Sequence, residues 1–319
     1  MSFSADVKNE LSQQVSSARH CNLAELAALV GMCGSVCISS FGTYQIRIRT
    51  ENVTVARKCF TLLQKAFNIG SDVSVALHKG KKTSSPIYTV LVKSHETALK
   101  ILHALKLLDA DGEVAECVSP ANQLLVQKSC CRRAFIRGAF LSAGSISNPE
   151  KAYHFEIVCT SRERAEQLQT LICTFGPDAK IVQRKKHHIV YIKEGAQIVD
   201  MLNVMEAHVS LMNLENIRIV RDVRNNVNRK VNCEAANINK TVNAAVRQME
   251  DIRYLQVMKR LEKLPAGLAD IAMLRLANPD ASLKELGEML EPPVGKSGVN
   301  HRLRKLSQLA EELRQNKEE

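Results

Sequence analysis

Hydrophobic and polar positions alternate with two different periods along the first 220 residues. Tyr44, Ile46 and Ile48 alternate with polar side chains, and this period of two is typical of a half-buried strand. The neighbouring segments fit helices, with turns between them. The pattern predicts a helix, two strands, a helix, two strands and a helix, in this order: Leu23–Gly34, Ser35–Ser39, Thr43–Arg49, Val53–Phe67, Asp72–Leu77, Ile87–Val92 and His95–Leu108.

The same order of elements recurs in the second part of this region. Its members are Arg132–Gly144, Ser145–Ser147, Tyr153–Cys159, Arg162–Phe175, Lys180–Arg184, Ile189–Lys193 and Ala196–Glu206. Gly34 and Gly144 hold equivalent positions, 110 residues apart. We therefore predict an α+β domain over residues 1–220, built from a duplicated α-ββ-α-ββ-α unit with halves at about 1–110 and 111–220.

Each copy begins with a helix that carries small residues in rows at a spacing of four. The rows are Ala24 with Ala28, and Ala134 and Gly138 with Ser142. A glycine in the middle of a helix costs up to ~1 kcal/mol, so Gly31 and Gly138 indicate a packing reason. We expect the two helices to pack closely, although two unrelated alanine-rich helices remain the alternative.

Beyond residue 220 the pattern predicts only helices. Residues 221–230 are basic and rich in asparagine, which predicts an exposed linker over 221–237 and a helical domain over 238–319. A long helix fits Asn239–Leu264, and Pro265 opens the next helix, which Asn278 and Pro279 close. Ser282 is an N-cap candidate, with Glu285 positioned to complete a capping box.

The last predicted helix, Gly298–Leu313 with Ser297 as N-cap, has two distinct faces. Val299, Leu303, Leu306 and Ala310 form an apolar stripe, and polar and basic residues point the other way. A short helix, a turn and a basic helix together are the helix-turn-helix pattern, in which arginine reads guanine and asparagine reads adenine. An ordinary solvated surface helix is the alternative.

We assign candidate DNA contacts on this pattern. Asn300, His301 and Arg304 are assigned to base edges, and Lys296, Arg302 and Lys305 to phosphates, with Ser282, Lys284 and Ser297 as further contacts. Possible secondary contacts are Arg47, Arg49, Lys185, Lys186, Arg229 and Lys230.

The charge of the chain agrees with such a partner. The 319 residues include 44 Lys and Arg against 33 Asp and Glu, a formal net charge of +11. This excess favours nucleic acid as a partner, with solubility alone as the alternative. Aromatic residues make up 4% and tryptophan is absent, which favours duplex over single-stranded nucleic acid, because proteins that bind single strands stack the bases on aromatic rings.

Several functional classes are not expected. No run of about 18 uncharged apolar residues or signal peptide is present, so we expect a cytoplasmic, nucleoid-associated protein without membrane contact. Ten cysteines include no Cys-x-x-Cys pair; Cys33 and Cys37 are four apart, and Cys130 and Cys131 are adjacent. We therefore expect reduced thiols, with no metal site, cofactor or disulfide framework.

The small-residue helices Leu26–Gly34 and Ile136–Gly144 resemble those of LAGLIDADG homing endonucleases. In that fold the two helices pack at a pseudo-twofold axis, paired sheets form a saddle over DNA, and an acid near the end of each helix binds a divalent metal. These positions correspond to Cys33 and Ala143 here, and the other acidic position of the motif corresponds to Gly31 and Leu141. The resemblance therefore implies a scaffold without catalytic residues, since Mg²⁺ requires oxygen ligands.

Two further stretches of the sequence are similar to segments found in proteins of the WhiA family. They are Asn-Arg-Lys-Val-Asn-Cys-Glu-Ala-Ala-Asn at 228–237 and Gly-Lys-Ser-Gly-Val-Asn-His-Arg-Leu-Arg-Lys at 295–305. This resemblance implies a helix-turn-helix domain that binds promoter DNA, an inactive nuclease-like half, and a role in sporulation-specific transcription or in division and chromosome segregation. The alternatives are an active metal-dependent endonuclease, a non-catalytic RNA or protein scaffold, and a non-catalytic nucleoid or partner-binding scaffold that acts in division without regulating transcription. Binding of a protein partner through the first domain is a further alternative.

Overall fold

In the computed structural model, which describes residues 2–38, 42–69, 72–79, 86–108 and 120–318, the first half follows the predicted order with one additional helix at its start. The elements are α1 (Phe3–Gln13), α2 (Arg19–Cys33), β1 (Gly34–Ile38), β2 (Tyr44–Thr50), α3 (Val53–Phe67), β3 (Val73–Lys79), β4 (Pro86–Val92) and α4 (His95–Ala104). The predicted strand end Ser39 and the boundary between the predicted halves at 110 lie outside the described residues.

The second half repeats this arrangement. After a 3₁₀ turn at Gln123–Val126 come α5 (Ser129–Ala143), β5 (Gly144–Ile146), β6 (Phe155–Cys159), α6 (Arg162–Cys173), β7 (Lys180–Arg184), β8 (His187–Ile192) and α7 (Gly195–Met205). The strand orders β1-β2-β4-β3 and β5-β6-β8-β7 are equivalent, and every pairing within them is antiparallel. Gly34 faces Ile48 and Gly144 faces Ile157, so the α+β duplication is confirmed.

The two small-residue helices α2 and α5 pack against each other, as predicted. A Cβ atom on Gly138 would lie 2.5 Å from the backbone oxygen of Glu25 and 3.0 Å from the Cβ of Ala28. The absence of a side chain at Gly138 therefore permits the close approach of the two helices. The prediction of a packing reason for Gly31 is wrong, because a Cβ there would meet no atom within 4 Å.

A buried ion network lies beside this helix pair. Glu25 is fully buried; its Oε1 lies 2.5 Å from Lys58 Nζ and 3.2 Å from Arg137 Nε. Lys58 also donates to the carbonyl oxygen of Leu11 at 2.7 Å, and Arg137 Nη1 lies 2.7 Å from Glu206 Oε2. Burial lowers the pKa of Lys58, and the Glu25 carboxylate acts in the opposite direction. Buried charges require such partners, and here they connect α1, α2, α3 and α5.

Helix α1 was not predicted, and it belongs to the core of the duplicated α+β domain. Its Val7 and Leu11 are fully buried. The carboxylate of Glu10 accepts from the backbone N–H groups of Val209 and Ser210 at 2.8 and 2.9 Å. Glu10 thus satisfies donors at the start of α8 (His208–Val257), which α-helices leave without intrahelical partners.

The structure divides into two compact units, Met1–Arg221 and Asp222–Glu319. An exposed linker was predicted over 221–237, and the predicted start of the next helix at Asn239 is wrong, because the linker residues are themselves helical within α8. Val223, Val227 and Val231 recur at a spacing of four, and this helical signal is sparse among asparagines. The side chains of residues 222–237 are exposed, as expected.

The second unit continues with helices. After the end of α8 at Val257 and a 3₁₀ turn at Leu261–Lys263 come α9 (Ala266–Ala277), α10 (Leu283–Glu288) and α11 (Lys296–Glu318). Pro265 and Asn278 flank α9, as predicted. Among the described residues, no helix is long and apolar enough to cross a membrane.

Candidate nucleic-acid interface

The candidate interface begins with α10, which a capping box fixes at its start. The backbone N–H of Glu285 donates to Ser282 Oγ at 3.3 Å, and the N–H of Ser282 donates to Glu285 Oε2 at 2.7 Å. Hydrogen bonds that the carboxylate of Glu285 accepts from the backbone N–H and the side chain of Ser282 lower the pKa of Glu285. The predicted capping box is confirmed, and it satisfies two donors that would otherwise lack partners at the helix start.

The turn between α10 and α11 is held by one close backbone approach. The N–H of Val294 donates to the carbonyl oxygen of Gly287 at 2.9 Å, and a Cβ on Gly287 would collide with the carbonyl oxygen of Val294. Helix α11 begins at Lys296, and the N–H of Val299 donates to the carbonyl oxygen of Gly295. The prediction of Ser297 as N-cap is therefore wrong, because the first helical turn starts earlier and includes Ser297.

Helix α11 has the two faces that its sequence predicts. Val299, Leu303, Leu306 and Ala310 are buried in a core that includes Ile252, Leu255, Leu268, Ile271, Leu286 and Leu290. On the other face, Lys296, Ser297, His301, Arg304 and Lys305 are exposed and Asn300 is half-buried. The buried stripe fixes the rotation of α11 about its axis, so the exposed side chains point into solvent together.

Four of the predicted contacts line one groove. Ser282, Lys284, Lys296 and Asn300 border a groove of about 630 Å³, with Lys240 and Thr241 of α8 among its other lining residues. Ser297 borders a neighbouring depression with Leu283 and Lys296. His301, Arg304 and Lys305 lie outside this groove. Lys240 was not among the predicted contacts, because its place in the groove depends on how α8 packs.

Two arginines of the second unit make contacts inside the protein. Arg302 Nη1 donates to the carbonyl oxygen of Gly267 at 3.2 Å, which links α11 to α9. Arg275 is buried, which lowers its pKa, and its Nη1 donates to the carbonyl oxygen of Ala281 at 2.7 Å. Arg275 thereby holds the loop that precedes Ser282.

The possible secondary contacts lie at three separate places. Arg47 and Arg49 are on β2, where Arg49 is exposed and Arg47 is half-buried. Lys185 and Lys186 are exposed in the turn between β7 and β8. Arg229 and Lys230 are exposed on α8.

The residues at the C-terminal ends of α2 and α5 do not fit the divalent metal that LAGLIDADG nucleases use. Cys33 and Ala143 are the last residues of these helices, and neither offers an oxygen ligand. Burial raises the pKa of the Cys33 thiol to about 12, against the opposing effect of Lys8. Lys8 Nζ lies 5.8 Å from the ring centroid of Phe140, so a cationic group lies near this end of the helix pair.

Metal-ligating side chains meet instead at the other end of the helix pair. His20, Cys21, Cys130 and Cys131 place their ligand atoms within 4.8 Å of one another. Within the described ranges, this is the single group of three or more His, Cys, Asp or Glu side chains arranged to hold a metal ion. This cluster was not predicted, because each half of the chain supplies one adjacent pair of its residues.

Three family models match the chain in succession. Residues 19–108 match the WhiA N-terminal LAGLIDADG-like domain, residues 132–224 the WhiA LAGLIDADG-like domain, and residues 227–310 the WhiA C-terminal HTH domain.

Whole-chain relatives agree with these matches. The chain is 51% identical over 315 residues to the "Probable cell division protein WhiA" of Lachnoclostridium phytofermentans, covering 99% of this chain and 100% of that protein. It is 48% identical over 318 residues to the protein of the same name from Desulforamulus reducens, covering 100% of this chain and 98% of that protein.

The fold is similar to that of a solved full-length protein. The crystal structure of full-length DUF199/WhiA from Thermatoga maritima matches with a TM-score of 0.59 and 25% identity, covering 98% of this chain and 99% of that chain. With the duplicated LAGLIDADG-like unit, the helix-turn-helix unit and relatives of about half identity that span its length, the chain belongs to the WhiA family.

Proposed function

We propose that this protein binds specific sites on double-stranded DNA and regulates transcription in cell division, chromosome segregation or sporulation. The exposed polar face of α11, opposite a stripe that is buried in the core, carries this proposal. A helix-turn-helix domain places such a face in the major groove. The relatives named probable cell division proteins support the cellular role.

Within this face, different side chains have different tasks. Asn300, His301 and Arg304 read base edges, where amide and guanidinium groups form bidentate hydrogen bonds. Lys296 and Lys305 neutralise phosphates, and Ser282, Lys284 and Ser297 contact the backbone beside them. Arg302 keeps its bond to Gly267 and contributes a phosphate contact through its remaining donors.

The LAGLIDADG-like unit in this proposal is a non-catalytic scaffold that offers a surface to DNA or to a protein partner. Hydrolysis of a phosphodiester by two metal ions requires carboxylate ligands, and Cys33 and Ala143 supply none. The purified protein should leave supercoiled plasmid intact in the presence of Mg²⁺ or Mn²⁺. Reproducible nicking that EDTA abolishes would contradict this part of the proposal.

Chromatin immunoprecipitation tests the proposal in cells. We would compare the wild-type protein with the double variant Asn300→Ala, Arg304→Ala, and use Gln315→Ala, an exposed change further along α11, as the control. The wild type and the control should occupy the same discrete promoter sites on the nucleoid, and the double variant should lose them. Equal occupancy by the double variant would show that α11 is not the reader.

Transcript levels distinguish regulation from a scaffold role. Genes beside the occupied sites should change expression in the double variant. If occupancy is lost while transcripts stay constant and division is still disturbed, the protein acts as a nucleoid or partner-binding scaffold without transcriptional regulation.

A further inference from the structure

The N-terminal turns of α2 and α5 bring together a set of side chains that the proposed DNA binding does not use. His20 and Cys21 follow the first residue of α2, Arg19, and Cys130 and Cys131 follow the first residue of α5, Ser129. The pairs are 110 residues apart, the same offset that relates Gly34 to Gly144. The four side chains therefore hold equivalent positions in the two halves and meet where the helix pair begins.

The distances between their ligand atoms fit a single small cation. His20 Nδ1 lies 3.2 Å from Cys131 Sγ and 3.3 Å from Cys21 Sγ. All four ligand atoms, Cys130 Sγ included, lie within 4.8 Å of one another. A tetrahedral zinc ion with bonds of about 2.3 Å to sulfur and 2.0–2.1 Å to nitrogen separates its ligand atoms by roughly 3.5–3.8 Å. The observed separations, from 3.2 Å up to 4.8 Å, span these values.

We propose that His20, Cys21, Cys130 and Cys131 form a structural Zn²⁺ site that joins the two halves of the LAGLIDADG-like unit. One imidazole nitrogen and three thiolates complete a closed tetrahedral set, which is typical of structural zinc and unsuited to Mg²⁺. No position is left for water, so the site takes no part in hydrolysis.

Burial raises the pKa of the Cys21 thiol to about 11 and also raises that of Cys131, so the bound cation itself would supply the thiolate form that zinc requires. Both ligand pairs, His20–Cys21 and Cys130–Cys131, lie in the first turns of their helices. Cys21 and Cys131 are buried, whereas His20 and Cys130 are exposed. An open cavity of about 380 Å³ with Cys21 and Cys130 in its wall gives an ion a path to the buried pair.

The site lies at the opposite end of the helix pair from Cys33 and Ala143. A helix of 15 residues is about 20 Å long, so this zinc site is separate from the position at which LAGLIDADG nucleases bind metal. Because two ligands come from each half, bound zinc would stabilise the packing of α2 against α5 that Gly138 permits.

Metal analysis of the full-length protein tests this proposal. Protein purified under reducing conditions from zinc-supplied cells should contain about one equivalent of zinc by mass spectrometry. After removal of zinc with a chelator, Co²⁺ should give the visible d–d bands of a tetrahedral site and a thiolate charge-transfer band. Octahedral cobalt spectra would overturn the proposal. The proposal would also be overturned if the protein stayed metal-free after zinc addition and Cys21 formed a disulfide with Cys130 or Cys131.

Variants separate coordination from a merely structural role. Cys130→Ser should lower zinc affinity at least about tenfold, the lower limit for losing even an outer-shell partner. Cys130→His, which restores a ligand, should recover binding, and Cys173→Ser, an exposed cysteine on α6, should leave it unchanged. Circular dichroism confirms that each variant is folded. Unchanged zinc content in a folded Cys130→Ser, Cys131→Ser double variant would refute the site.

Discussion

The missing side chain at Gly138 sets how closely α2 and α5 approach. In Gly138→Leu the new Cβ meets the backbone of Glu25 at 2.5 Å, and backbone atoms cannot rotate away. We expect a destabilisation of about 1–3 kcal/mol, the usual range for overpacking, measured by urea unfolding. Gly31→Ala is the matched control: it meets open space within the same helix pair, so its stability should stay constant or rise by up to ~1 kcal/mol. Equal effects at both positions would show that the helices do not pack there.

Arg304 and Lys305 are exposed neighbours on α11 to which we assign different tasks. Arg304→Ala should cost about 1–3 kcal/mol at a specific site and relax the preference at one base pair, because a bidentate base contact is lost. Lys305→Ala should weaken binding to all sequences alike and reduce the salt slope by about one unit. Titrations of specific and random duplexes at several salt concentrations measure both. Identical salt slopes and base preferences for the two variants would contradict the assignment.

At the scale of elements, Ser282 and Ser297 were both predicted to be N-caps, and only Ser282 is one. Ser282→Ala removes a side-chain acceptor at the start of α10 and should lower the free energy of unfolding by about 0.5–2 kcal/mol. Ser297→Ala, within the first turn of α11, should change it little. Thermal unfolding without DNA makes the comparison. A larger loss for Ser297→Ala would place the start of α11 where the sequence predicted it.

The pH dependence of the same cap follows from Glu285. Its hydrogen bonds to Ser282 lower its pKa in the folded state. A carboxyl group with a depressed folded pKa contributes stability above its unfolded pKa, near 4.3, and this contribution is lost as pH falls through the folded value. Glu285→Gln should therefore flatten the loss of stability below about pH 4 relative to the wild type. Unfolding midpoints that fall equally in both proteins would exclude this role for Glu285.

The sequence predicted elements well where local patterning determines them. The bounds of α3 and β7 agree with the prediction, and the buried stripe of α11 is the predicted one. Helix α1 was missed because its burial depends on partners far along the chain, such as α3 and the start of α8. The helix over 221–237 was missed because valines at a spacing of four gave a weak signal among polar residues.

In the candidate sites, too, the features set by local sequence were predicted and those set by long-range packing were not. The outward face of α11 follows from helical periodicity alone, so its residues were found without the structure. The groove that adds Lys240 depends on how α8 packs, and the His20–Cys131 cluster depends on the pairing of two helices from different halves. Arg302 was assigned from its charge, and only tertiary structure shows its bond to Gly267. Local chemistry was therefore predictable, and its long-range partners were not.

At the scale of the whole molecule, each of the two units carries basic residues that we assign to DNA: those of α11 in the second unit, and Arg47, Arg49, Lys185 and Lys186 in the first. Separate fragments 1–221 and 222–319 decide which unit is the reader. The cut leaves the buried core of the second unit intact, because that core begins at Ile252. Once circular dichroism has shown that both fragments are folded, 222–319 should retain sequence preference, and 1–221 should bind at most without preference and with strong salt dependence. If 1–221 holds the specificity and 222–319 binds nothing, the LAGLIDADG-like unit reads the DNA and the assignment to α11 fails.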